Sequence, residues 1–231
     1  MCPGGTAFAN AGPATSDERR VWENAVAVLI AEHGALVTAR ATVTSDSSAR
    51  SNLFLGAVSS SLVALAFVAQ ADHLGRAVQA FAFALLPALL YLGLLTFVRT
   101  LEDAGKDALY GRAINRVRRY YVDLYPHAVP YFTFSTDAEG ALELTSSGGL
   151  AWERRLTAQT SVSAINATVG GVLAGLAASL LVNVPFPQAV LLGAIAAAAV
   201  LASSAWYESR YWASFERRIA ERYSNRTIGG S

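Results

Sequence analysis

From Leu156 to Tyr207 the chain runs for 52 residues without a single Asp, Glu, Lys, Arg or His. A helix needs about 20 apolar residues to cross roughly 30 Å of hydrocarbon, so this run is long enough for two crossings. Asn183-Val-Pro-Phe-Pro-Gln188 interrupts it with two prolines, the usual punctuation of a turn, and divides it into predicted spans at 161–182 and 189–206. Two further uncharged stretches precede it. Ser51 to Ala71 gives 21 residues, and Ala77 to Val98 gives 22, in which Tyr91 is the only titratable side chain.

Composition decides between membrane helices and the buried helices of a soluble bundle. The chain is 53% hydrophobic and 15% charged, against about 25% charged in soluble domains. Its mean hydropathy is +0.35. Helices of a soluble bundle are usually shorter and carry a polar stripe. The expected fold is therefore all-α: an integral membrane protein with four transmembrane helices in two hairpins and cytoplasmic helical extensions. Residues 1–16 contain no Lys or Arg, and the first apolar run, Val21 to Ile30, contains Glu23. No cleavable leader is expected, and the first span serves as its own insertion signal.

Orientation follows from the basic residues, which concentrate on the cytoplasmic side. Of the eighteen, four precede the first span, eight lie in 99–160, five lie in the tail, and Arg76 alone falls in a short connection. Both termini and the central segment are therefore expected in the cytoplasm, with Trp152, Trp206, Tyr207 and Tyr211 forming an aromatic belt at the inner interface. Seventeen Arg against one Lys, with abundant Ala and Gly, suggests a GC-rich bacterial coding sequence and hence a cell inner membrane.

The cytoplasmic parts divide in turn. Residues 1–15 read as a flexible tail. A helix over 16–50 opens on Thr15-Ser-Asp-Glu18, which has capping-box spacing. Trp22, Val26, Leu29, His33, Leu36, Arg40 and Val43 then recur at steps of four and three, a coiled-coil seam. In the 99–160 segment Tyr110, Ile114, Val117, Tyr121 and Leu124 repeat that spacing, and the helix should stop before Pro126. Val129 to Phe134 and Ala141 to Thr145 flank Asp137-Ala-Glu-Gly140 and read as a small β-hairpin. In the 207–231 tail Tyr207, Tyr211, Phe215, Ile219 and Tyr223 mark one apolar helix face.

Phe97-Val-Arg99 followed by Ala113-Ile-Asn-Arg-Val-Arg-Arg-Tyr-Tyr121 resembles runs in uncharacterised multi-span membrane proteins of actinobacteria. The helix, hairpin, helix layout over roughly 50–125 is similar to that of SLATT-type membrane effectors associated with bacterial nucleotide-signalling defence. The resemblance implies an effector that acts at the membrane. The SLATT pattern has one hairpin where this chain has two, and it carries no catalytic or ligand residue onto this sequence.

Motifs for chemistry are missing. There is no HExxH, P-loop, GxSxG or paired CxxC, so no enzymatic activity is expected. The single cysteine, Cys2, excludes a disulfide framework, and a net charge of +1 argues against a nucleic-acid binder. His33, His73 and His127 stand too far apart to form a metal site by helical spacing. Neither a metal nor another cofactor is expected. His33 reads as a polar residue fixing register in the seam, with a pH sensor as the minority alternative. Asp137, Glu139 and Glu143 read as a solvated turn, and Asn166-Ala-Thr168 as a glycosylation sequon occurring by chance inside a span. The spans lack the intramembrane ionisable group on which proton relays and many coupled transporters depend.

What the sequence offers instead is packing and charge. Gly171-Val-Leu-Ala-Gly175 is a GxxxG that permits close helix approach, within the monomer or between subunits. Ile114, Val117 and Tyr121 are the centre of the cytoplasmic seam. Arg112, Arg116, Arg118 and Arg119 form a solvated face or a contact for an anionic ligand. The expected partners are the lipid bilayer, further copies of the chain, and a cytoplasmic protein or phosphate-bearing ligand, with no nucleic acid. The leading functional expectation is an oligomeric membrane effector or pore with a cytoplasmic sensing region; the alternative is a membrane scaffold that recruits a partner.

Overall fold

The computed structural model describes residues 15–71, 75–131 and 158–228. Among these, four α-helices follow one another: α1 (Ser16–Ala71), α2 (Arg76–Leu124), α3 (Ala158–Leu181) and α4 (Phe186–Ile228), with a 3-10 segment at Pro126–Tyr131. Each α-helix contains a stretch long and apolar enough to cross a membrane. Three of them extend well past that stretch, with α1 at 56 residues, α2 at 49 and α4 at 43. No Pro or paired Gly stands at Arg50, Arg99 or Glu208, so helical hydrogen bonding continues from the uncharged segment into the charged one. Pro87 lies inside α2 without ending it.

The helix ends have local causes. The first helical bond of α1 runs from the Arg19 N–H to the Thr15 carbonyl, at 3.1 Å. At the other end of α2, the residue before a proline is disfavoured in the α conformation, and the helix closes at Leu124, ahead of Tyr125-Pro126. Between α3 and α4, Asn183 adopts a left-handed conformation with φ of 56°, tolerated by Asn better than by most side chains. The Val184 N–H bonds the Ala178 carbonyl at 3.2 Å, and the Pro185 carbonyl accepts from Gln188 and Ala189 to start α4. Pro187 falls in the first turn, where its missing N–H has no intrahelical partner to lose.

The chain divides into two compact units, Met1–Ser45 with Lys106–Arg155, and Asp46–Gly105 with Leu156–Ser231. In the first unit the seam on α1 is visible residue by residue. Trp22, Val26, Leu29, His33, Leu36 and Val43 are half-buried while the positions between them are mostly exposed. They face α2, where Ile114 is buried and Tyr110, Val117, Tyr121 and Leu124 are half-buried. Trp22 meets Tyr125 edge-on at 6.2 Å between ring centroids, and His33 meets Tyr121 at 6.3 Å. Arg40 departs from the seam. It is exposed and forms a bidentate ion pair with Asp107, at 2.7 and 3.0 Å, because its guanidinium gains more from a carboxylate fork than its stem gains from burial.

In the second unit α1, α2 and α3 share a core. Ala82, Leu86 and Leu89 of α2 pack with Val169 of α3, and Phe54 of α1 packs with Phe97 and Val162. Helix α4 lies against α3 through small residues. An ideal Cβ added at Gly171 would stand 2.7 Å from the Gly193 carbonyl oxygen, and one at Gly175 would stand 3.0 Å from that of Ala189. The GxxxG thus serves a contact within the chain.

The β-hairpin expectation fails where it can be checked. Val129 to Tyr131, its first three strand residues, belong to the 3-10 segment. Pro126 and Pro130 lock φ near −65°, away from the extended values of a strand. The remainder of that expectation, the 1–14 portion of the tail, the acidic turn at 137–143, His73, Trp152 and the side chain of Tyr223 lie outside the described residues.

Candidate functional site

Helix α2 turns a polar stripe inward at steps of three and four: Gly93, Thr96, Thr100 and Asp103 are all buried. Helix α3 presents buried Gln159, Ser163 and Asn166 with the same spacing. Uncharged polar groups inside an apolar bundle are costly unless hydrogen-bonded. Most of these are. Thr96 donates to the Leu92 carbonyl at 2.8 Å and Thr100 to that of Phe97 at 3.0 Å, while Gln159 Nε2 donates to the Thr100 carbonyl at 3.1 Å. The last bond ties α3 to α2.

At one end of the stripe stands the unit's buried charge. Asp103 has a side chain only 4% exposed and accepts from Arg50 Nη1 of α1 at 2.6 Å. Arg50 keeps 43% of its side chain exposed, so its guanidinium stays partly solvated while it neutralises the carboxylate. A buried carboxylate without such a partner would carry a large desolvation penalty.

At the other end Asn166 is 1% exposed, and neither its Oδ1 nor its Nδ2 has a hydrogen-bond partner. Its Oδ1 occupies the place that a Cβ on Gly93 would take, with the Phe54 ring bordering the same spot. Only glycine admits that approach. The oxygen then stands against the bare Cα of Gly93, where a Cα–H contact is the most it can make. It leaves both amide N–H groups of Asn166 unmet.

Helix α4 adds an aromatic border. Tyr207 lies 6.3 Å from Phe97 between ring centroids, Tyr211 stacks on Phe215 at 6.2 Å, and the Tyr211 hydroxyl fills the space above Gly105 that a side chain would need. Arg210 caps the exposed Trp206 ring at 4.9 Å, an arrangement suited to a membrane interface.

The other expected site residues sit in the first unit. Ile114 is buried and Val117 and Tyr121 are half-buried in the seam. The Tyr121 hydroxyl and His33 Nδ1 are buried without hydrogen-bond partners. Arg112, Arg116 and Arg119 share one face of α2 at steps of four and three, and Arg118 points roughly a third of a turn away. Arg112 and Arg118 are half-buried while Arg116 and Arg119 are exposed. Arg112 and Arg116 already engage other groups of the chain, so the four are not one open anion cradle. Asp107 holds Arg40 above its ordinary pKa, chiefly through the hydrogen bond between them. Among the described residues no three His, Cys, Asp or Glu side chains converge as metal ligands.

Sequence reasoning read Asn166 as part of a chance sequon inside a span and gave Gly93 and Asp103 no role. The signal for Asp103 was its i+4 position after Arg99, close enough to the span to share its packing. Comparison with protein-family models finds no match, and comparisons with curated proteins and with solved structures find none either.

Proposed function

We propose that this chain is a non-enzymatic multi-pass protein of a bacterial inner membrane, with its termini and first unit in the cytoplasm. It assembles into an oligomer that acts as a membrane effector or pore under control of the first unit. The observation that carries this is the uncovered state of α1. Within 51–71 only Phe54 is buried, and the outward face presents Asn52, Gly56, Ser59 and Val63, with nothing within 4 Å of where a Gly56 Cβ would stand. Small and hydroxyl-bearing residues let a second helix approach closely and hydrogen-bond in lipid. The second unit supplies a tied bundle; the first supplies the seam through which a cytoplasmic signal would act, with Arg119 and its neighbours as the entry point for a phosphate-bearing ligand or acidic partner. The resemblance of the helix, hairpin, helix layout over roughly 50–125 to that of SLATT-type effectors supports the same reading.

Purified protein in liposomes tests it. Ion flux from an oligomer is expected. A protein that stays monomeric in several detergents and nanodiscs, conducts nothing and copurifies with one partner would instead be a scaffold.

A further inference from the structure

We infer that the Gly93–Asn166 contact is a conformational latch between α2 and α3. Asn166 has more unmet hydrogen-bonding capacity than any other side chain of the second unit's polar stripe: two N–H donors and an oxygen met only by a Cα–H. It is 1% exposed and set beside Phe54, where the apolar surroundings make that deficit most costly. The described packing is therefore held by apolar contacts of Phe54, Phe97 and Val162 and opposed by one carboxamide. A second packing, with α3 turned about its axis so that Asn166 leaves Gly93 and faces a water-filled path between helices, would give the carboxamide hydrogen bonds to water. Ser163, one turn away on the same face and buried, would become accessible with it. The two packings supply the bistable element that a controlled effector needs. Only the conductance arm of the test rests on the effector reading.

The test uses the full chain in nanodiscs with Cys2→Ser and Ser163→Cys, so that one thiol reports on the α3 face. Asn166→Leu keeps the branching and the number of heavy atoms and removes the unmet groups, and it should slow labelling by a small polar thiol reagent about tenfold or more, the scale by which an unmet buried donor biases an equilibrium. It should also raise the unfolding midpoint. Gly93→Ala places a methyl where Oδ1 sits and should accelerate labelling, and Asn166→Ala added to it should restore the slow rate. Asn166→Leu that labels faster, melts lower or changes neither would overturn the latch, since the carboxamide would then be satisfied where it lies. The expected labelling order without ion flux from any variant would leave the latch standing and remove the effector reading.

Discussion

A methyl group added at Gly171 should separate α3 from α4, whereas the same methyl at Gly56 should meet nothing within its own chain. At Gly171 the new Cβ would stand 2.7 Å from the Gly193 carbonyl oxygen and 2.9 Å from the Ala197 Cβ. Both neighbours belong to a packed helix, so neither can swing aside, and the helices must part by several tenths of an ångström. Overpacking of this kind costs about 1–3 kcal/mol. Against it stands the gain of about 0.5–1 kcal/mol from replacing glycine by alanine in a helix interior. The net expectation for Gly171→Ala is a loss of ~0.5–2 kcal/mol. Gly56→Ala has the gain without a clash inside the chain and should stabilise the monomer by roughly 0.5–1 kcal/mol, while weakening the proposed contact of that face with a second copy. Equilibrium unfolding in mixed micelles, with denaturing detergent as the titrant, reads both variants on one scale. Opposite signs are expected where the protein is monomeric, and the oligomeric mass of Gly171→Ala should stay unchanged, because its contact lies within the chain. Equal stabilisation by both substitutions would refute the close α3–α4 approach.

A double-mutant cycle on Arg50 and Asp103 should give a coupling of about 1–3 kcal/mol, between the range for exposed pairs and that for buried ones. Arg50→Ala should cost more than Asp103→Ala, since it strands a carboxylate that is 4% exposed, whereas Asp103→Ala leaves a guanidinium that water already reaches; unfolding midpoints of the four proteins check both statements. In the first unit, Ile114→Asp should destabilise the seam by about 3 kcal/mol or more and Val117→Asp by less, because Ile114 is buried and Val117 only half-buried. Hydrogen exchange confined to α1 and α2 of that unit would read the difference, with the apolar spans left protected.

The four apolar helices were legible because each carries a long run without charge, and such runs mark themselves in the sequence. The seam from Trp22 to Val43 was legible for a related reason, since a helix face excluded from water leaves a period of three and four in the sequence. Arg40 broke that pattern in the structure because Asp107, 67 residues away in sequence, offered it a better partner, and no local window contains that fact. Asp103 and Asn166 were opaque for the same cause. Whether a polar residue is buried depends on which helix faces it, and Gly93 announces its partner only once the crossing is known. The strand expected at 129–134 failed at its first residues because Pro130 within it and Pro126 just ahead of it fix the backbone angle, the stronger local constraint.

The central claim is that the four apolar helices cross a membrane with the first unit on the cytoplasmic side, and single-cysteine labelling in intact cells tests it most directly. In a Cys2→Ser background, Gln188→Cys in the first turn of α4 should react with an impermeant thiol reagent from outside, while Gly34→Cys in the first unit and Ser209→Cys further along α4 should react only after lysis. Labelling of Gly34→Cys or Ser209→Cys from outside, or of Gln188→Cys only after lysis, would contradict it.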